Sequence, residues 1–146
     1  MEQVNSAVPA ENGTAVYGVG ETATAKSYKL TVNELKVLES DNQFVQPADG
    51  KEFIEVVLTI ENISDRELSV SSVLNFSAYE DGYSVSENIT AMTLTDNKTA
   101  DGTIAGGKKL KGSLCYEVTK GWSELEIDVD IGYSKDDQIK LLIINE

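Results

Sequence analysis

The sequence predicts an all-β protein: an antiparallel sandwich of about seven to eight strands behind a flexible N-terminal tail. Three observations carry that prediction. Apolar and polar residues alternate with a period of two in segment after segment. The segments are short, and clusters of Gly, Asn, Asp and Ser separate them, among them Asp81-Gly82 and Gly106-Gly107. No stretch carries the 3.6-residue period of an amphipathic helix.

Residues 1–20 are rich in Ala, Asn, Gly, Ser and Glu without a sustained period, and read as a tail or spacer. The folded domain is expected from Glu21 to Glu146, opening with a short strand near Thr22 to Ala25. Tyr28 to Leu38 is a long strand whose parity switches at Asn33-Glu34: Tyr28, Leu30 and Val32 share a face before it, Leu35 and Val37 after it. A one-residue bulge keeps both halves on the core, unless the strand crosses between sheets there. Phe53 to Asn62 is the clearest central strand, with Ile54, Val56, Leu58 and Ile60 on one face and Glu55, Thr59 and Glu61 on the other.

A polar turn at Asn62 to Arg66 leads to Leu68 and Val70. Beyond a kink at Ser71-Ser72, Leu74, Phe76 and Ala78 continue the apolar stripe. Asp81-Gly82 between Tyr79 and Tyr83 is a hairpin signal, with Tyr83 and Val85 on the return strand. Asn88 to Gly107 is a Thr-rich excursion, expected to hold a short strand around Ala91 to Leu94 and to be anchored by Met92 and Leu94. Lys109 to Val118 turns Leu110, Leu114, Tyr116 and Val118 inward, with Gly112 where another backbone approaches closely. Trp122 caps the core, and Leu125, Ile127, Val129 and Ile131 fill it. Ile139 to Ile143 follows a tight polar connection at Ser134 to Asp137.

Composition removes several function classes. With 146 residues the chain fits one domain with a sizeable core. Its 25 acidic and 12 basic residues give a net charge of −13, and Arg66 is the lone arginine. Nucleic acid needs a basic face, so the sequence argues against it, and against an anionic membrane surface for the same reason. Histidine is absent, which rules out Ser-His-Asp and Cys-His catalysis and the usual zinc and copper sites. Cys115 has no second cysteine to pair with. It shares parity with Lys109, Lys111, Ser113 and Glu117, and is expected to tuck under a loop or a second sheet rather than act as a nucleophile. No apolar leader stands at the start of this sequence, so export implies a targeting segment ahead of it.

Three pieces carry a family resemblance: GKEFIEVVLTIENISDREL at Gly50 to Leu68, NFSAYEDGYSV at Asn75 to Val85, and DGTIAGGKKLKGSLCYEV at Asp101 to Val118. In this order they resemble the immunoglobulin-like domain of unknown function 4352 found in Gram-positive lipoproteins, related in fold to secreted immunoprotective antigens of actinobacteria. Ala105-Gly106 and Thr119-Lys120 stand where members often carry proline. The resemblance implies an immunoglobulin-like sandwich, extracellular and anchored by lipid at the cell surface. It transfers no catalytic residues.

Two candidate sites follow. Glu124, Glu126, Asp128 and Asp130 alternate with the apolar residues of their strand, so all four carboxylates face one way. Such a ladder is either a solvated face relieved by lysines such as Lys140 or a calcium site, although calcium prefers convergent loop oxygens. Asp81, Asp96, Asp101, Asp136 and Asp137 lie in turns without the spacing of a calcium loop. The excursion offers Met92, Leu94, Asp96, Asn97 and Lys98 as a partner surface, the partner being a protein or a cell-wall polymer. The expected function is non-enzymatic extracellular binding, with no cofactor beyond a calcium option. The alternatives are a calcium-dependent structural or adhesion domain and a hydrolase working through carboxylates alone, which would need a cleft with two convergent buried acids.

Overall fold

The computed structural model describes residues 8–9 and 15–145. Most of the expected tail lies outside the described residues. Its described part is paired: β1 (Val8–Pro9) lies antiparallel to β2 (Ala15–Tyr17), and β2 joins the last strand in parallel, Lys140 opposite Val16 and Leu141 opposite Tyr17. The remaining strands are β3 (Thr22–Thr24), β4 (Tyr28–Leu38), β5 (Lys51–Asn62), β6 (Leu68–Val70), β7 (Phe76–Glu80), β8 (Tyr83–Val85), β9 (Gly102–Ile104), β10 (Lys109–Thr119), β11 (Glu124–Asp130) and β12 (Gln138–Ile144).

They form an immunoglobulin-like β-sandwich. One sheet runs β1-β2-β12-β11-β7-β8, the other β10-β5-β4-β3, and β6 with β9 makes a two-stranded flap. The core between the sheets holds the alternating residues of the sequence, including Leu30, Ile54, Leu58, Leu114, Leu125, Ile127 and Trp122, all buried. β4 carries the expected bulge, its register against β5 shifting between Val32 and Glu34, so Leu35 stays buried, but Val37, expected on the core beside it, is 41% exposed. Asp81 and Gly82 both adopt positive φ, +48° and +89°, which gives the tight β7–β8 turn the twist of its strands. Gly112 is required by contact: a Cβ there would sit 2.6 Å from the Cα of Ala100.

Two expectations are corrected. Ala91 to Leu94 is not a strand. Residues Ile89–Met92 form one helical turn, α1, because the Asn88 side chain caps it by accepting from the Ala91 N–H at 2.8 Å. Leu74 is not on the core stripe. The Ser71 N–H donates to Asn75 Oδ1 at 2.6 Å and the Leu74 N–H to Ser71 Oγ at 3.1 Å, closing a turn that projects Val73 and Leu74 outward, 76% and 83% exposed. The kink is a change of sheet: β6 pairs with β9, β7 with β11.

Candidate functional site

The excursion folds back over the outer face of β5 and β10 and makes a second, smaller core there. Phe53, Cys115 and Ala91 are buried in it, with Leu38, Met92 and Leu94 packed alongside. Glu55 is fully buried beneath this layer. Its Oε2 accepts from Thr95 Oγ1 at 2.8 Å and Asn97 Nδ2 at 3.0 Å, and Lys36 Nζ lies 3.5 Å from Oε1. Burial pushes Glu55 up, but those hydrogen bonds and the lysine outweigh it and hold the carboxyl below its ordinary value. Among the residues expected as a partner surface, Met92 and Leu94 therefore serve as anchors and the Asn97 amide is committed to Glu55. Asp96 and Lys98 are exposed.

The acidic ladder lies on the outer face of β11 as its parity requires. Glu124 and Asp130 are exposed, Glu126 and Asp128 half-buried. Lys140, opposite Asp128 on β12, reaches Glu126 Oε2 at 3.6 Å. Burial and the neighbouring Glu126 push Asp128 up to about 6. Among the described residues, no three Cys, Asp or Glu side chains converge as a metal would require. Two of the turn carboxylates are occupied within the fold: Asp81 accepts from the Ser123 and Glu124 N–H groups, and buried Asp137 from the N–H groups of Ser27 and Tyr133 and from Ser27 Oγ.

A further candidate surface is one the alternation did not mark. A groove of about 610 Å³ is lined by β7, β8 and the segments at Ser72-Val73 and at Thr99 and Asp101 that adjoin the two-stranded flap. The chain leaves β8, crosses to the other sheet, and forms a single bridge from Glu87 to Tyr116 of β10. Val85, Ser86 and Glu87 of this crossing line the groove. Phe76 and Tyr116 wall it from within, Met92 from α1, and Val73 and Ile89 stand at its rim, each more than three-quarters exposed. Two carboxylates belong to it, Glu87 and Asp101, and no lysine or arginine among the described residues lines it.

The two acids are treated differently. Asp101 Oδ1 accepts from the Ser72 N–H at 2.8 Å, and Oδ2 accepts from Ser72 Oγ at 3.0 Å and Thr99 Oγ1 at 2.6 Å. Burial raises Asp101, but these bonds bring it below the ordinary carboxylate value. Both oxygens of Glu87 are closed to water and make no hydrogen bond. Burial pushes Glu87 up, the nearby Ser72 hydroxyl pulls the other way, and the negative charge of Asp101 adds to the rise. Sequence reading overlooked Val73, Ile89 and Glu87. The signal available was apolar residues inside turn-forming runs, SSVLN and ENIT, where no strand parity accounts for them.

The sandwich is similar to several solved structures. A putative lipoprotein, ycdA, from Bacillus subtilis superposes with a TM-score of 0.68 at 19% identity, covering 84% of this chain and 38% of that one. This chain thus spans well under half of that lipoprotein's length. The yjhA protein of Bacillus subtilis gives 0.64 at 22% identity, covering 85% and 97%. The secreted protein MPT63 of Mycobacterium tuberculosis gives 0.56 at 18% identity, covering 90% and 98%. These likenesses show the fold. No curated protein matches the chain in sequence. The profile of the domain of unknown function DUF4352 matches residues 17–139, and the chain belongs to that family.

Proposed function

We propose that this protein is a non-enzymatic binding module working outside the cell, and that it engages its partner, a protein or a cell-wall polymer, through the groove beside β8. The observation that carries the reading is the groove itself. It falls in the size range of ligand sites, with apolar side chains such as Phe76, Val85 and Met92 in its walls, exposed aliphatic residues at its rim, and serine, threonine and carboxylate groups among them. Likeness to a putative lipoprotein and a secreted protein supports an extracellular setting and motivates a lipid anchor. Glu87 and Asp101 in one groove are the feature that would favour a carboxylate hydrolase. Asp101 has both oxygens engaged with Ser72 and Thr99, however, which leaves no second free carboxylate to work with Glu87 as an acid–base pair.

The test is a binding screen by chemical-shift mapping against extracellular proteins and soluble wall fragments, repeated with Ile89→Glu and Val73→Asp. Both residues are exposed, so the variants should fold normally. Binding that maps to the groove, is lost in both variants and returns the partner unchanged supports the reading. Binding that survives both variants moves the interface elsewhere, and turnover of the partner replaces the module with an enzyme.

A further inference from the structure

Resting on the groove reading above, we infer that its occupant is an extended segment of a protein partner that places a lysine, flanked by apolar residues, over Glu87. Three observations point there independently. First, β8 ends its sheet and pairs with β7 alone, so one side of its backbone is left without a strand partner among the described residues. A strand edge beside an apolar groove is the arrangement that accepts an added peptide strand, with main-chain bonds for affinity and alternate side chains entering the groove. Second, Val73 and Ile89 line the groove from separate segments, the β6–β7 turn and α1, and both are exposed, which suits apolar neighbours of a central residue.

Third, the groove's charge is one-sided. Glu87 has both oxygens without a hydrogen bond, Asp101 lies close by, and no cationic side chain lines the cavity among the described residues. An unpartnered carboxylate under a low-dielectric surface is costly. Glu87 lines the groove while both of its oxygens are closed to water, so pairing with a ligand requires this one side chain to rotate toward the groove. Lysine fits better than arginine: its aliphatic stem matches the walls of Phe76, Met92 and Tyr116, and its compact head needs only one acceptor. The net charge of −13 would also speed encounter with a basic segment.

The probe is a short extended peptide of alternating valine and threonine with one central lysine, compared with the same peptide carrying acetyl-lysine. Both are titrated into wild type and Glu87→Gln, with chemical shifts locating the site. The lysine peptide should bind in the groove about tenfold more tightly than the acetylated one, as one charge-assisted bond implies. Glu87→Gln should erase that difference while leaving the acetyl-lysine affinity unchanged. Glutamine has nearly the same shape, and a melting curve checks that the variant is folded. Equal affinity of the two peptides in wild type overturns the lysine assignment and leaves the groove reading standing. Groove shifts with soluble wall fragments and none with either peptide overturn the protein partner. No groove shift with peptides, wall fragments or extracellular proteins removes both readings.

Discussion

Asn97 donates from its side-chain amide to Glu55 Oε2 at 3.0 Å, joining residues 42 positions apart and holding the excursion down on β5. The same oxygen accepts from Thr95, so a single buried carboxylate ties two points of one loop. Under that loop lies Cys115, buried, its thiol pushed up to about 12 by burial and by the charges of Glu55 and Glu87. A thiol so placed reacts only when the loop opens. Glu55→Ala should lower stability by about 2 kcal/mol and speed labelling of Cys115 about thirtyfold. Glu55→Gln separates latch from charge: it removes the negative neighbour but keeps an acceptor, and should speed labelling less. Thiol labelling under native conditions measures both, and unchanged rates in Glu55→Ala would show that the loop is held by its apolar anchors alone.

Buried acids pull the pH dependence in opposite directions. Glu55 sits below its ordinary value of 4.5, so its contribution is present above that pH and is lost as pH falls through the folded value. Asp128 is raised from 3.8 to about 6, so its penalty is absent below 3.8, grows as pH rises and is complete above 6. Glu87 acts in the same sense as Asp128. The melting temperature should therefore be highest in mild acid and decline toward neutrality. Asp128→Asn should raise stability at pH 7.5 by about 1 kcal/mol, allowing for solvent screening of a half-buried group, and should flatten the decline. Because burial leads the shift, the effect should survive high salt. A decline that salt abolishes would assign it to general charge repulsion instead.

What could be read from the sequence follows from what a period of two can encode. Ile54 to Ile60 and Leu125 to Ile131 each bury one face against the opposite sheet, so the pattern shows directly. The bulge at Asn33 and the turn at Asp81-Gly82 are local as well, because each breaks the period or needs a special φ. The second core is not local. Glu55 sits on the polar parity of β5, and nothing near it announces that Asn97 will cover it. The groove was hidden for the same reason, since its walls come from segments that meet only once the chain has crossed between sheets. α1 was legible in principle from Asn88 as a cap, but the Thr-rich run around it favours a strand.

Gly112 tests how closely the excursion and the sheet must approach. A Cβ on it would lie 2.6 Å from Ala100 Cα and 2.9 Å from Thr99 O, both backbone atoms that cannot swing aside. Ala100 is itself buried, and its N–H donates to the Ser113 carbonyl at 3.1 Å. Gly112→Ala should cost about 1–3 kcal/mol by overpacking. It should also displace residues 98–101, seen as lost amide-exchange protection at Ala100 and Ser113. Gly50→Ala is the contrasting change: its φ of +78° strains any side chain, but nothing lies within 4 Å. If Gly112→Ala loses no more stability than Gly50→Ala, the close approach is not what fixes glycine there.

The ladder on β11 should behave as a solvated face. Its carboxylates stand along a straight strand, and calcium needs six to eight oxygens gathered about one point. Lys140 already relieves the middle of the row by pairing with Glu126 at 3.6 Å across from Asp128. Melting curves in calcium, in magnesium and in chelator at constant ionic strength should therefore coincide. Lys140→Ala should lower the melting temperature slightly and push Asp128 further up, because the charge opposing that shift is lost. A calcium-specific rise of several degrees would mean that carboxylates converge on an ion after all. If Asp128→Asn then abolished the rise, the ladder would be the site, and a calcium-dependent adhesion role would displace groove binding as the leading function.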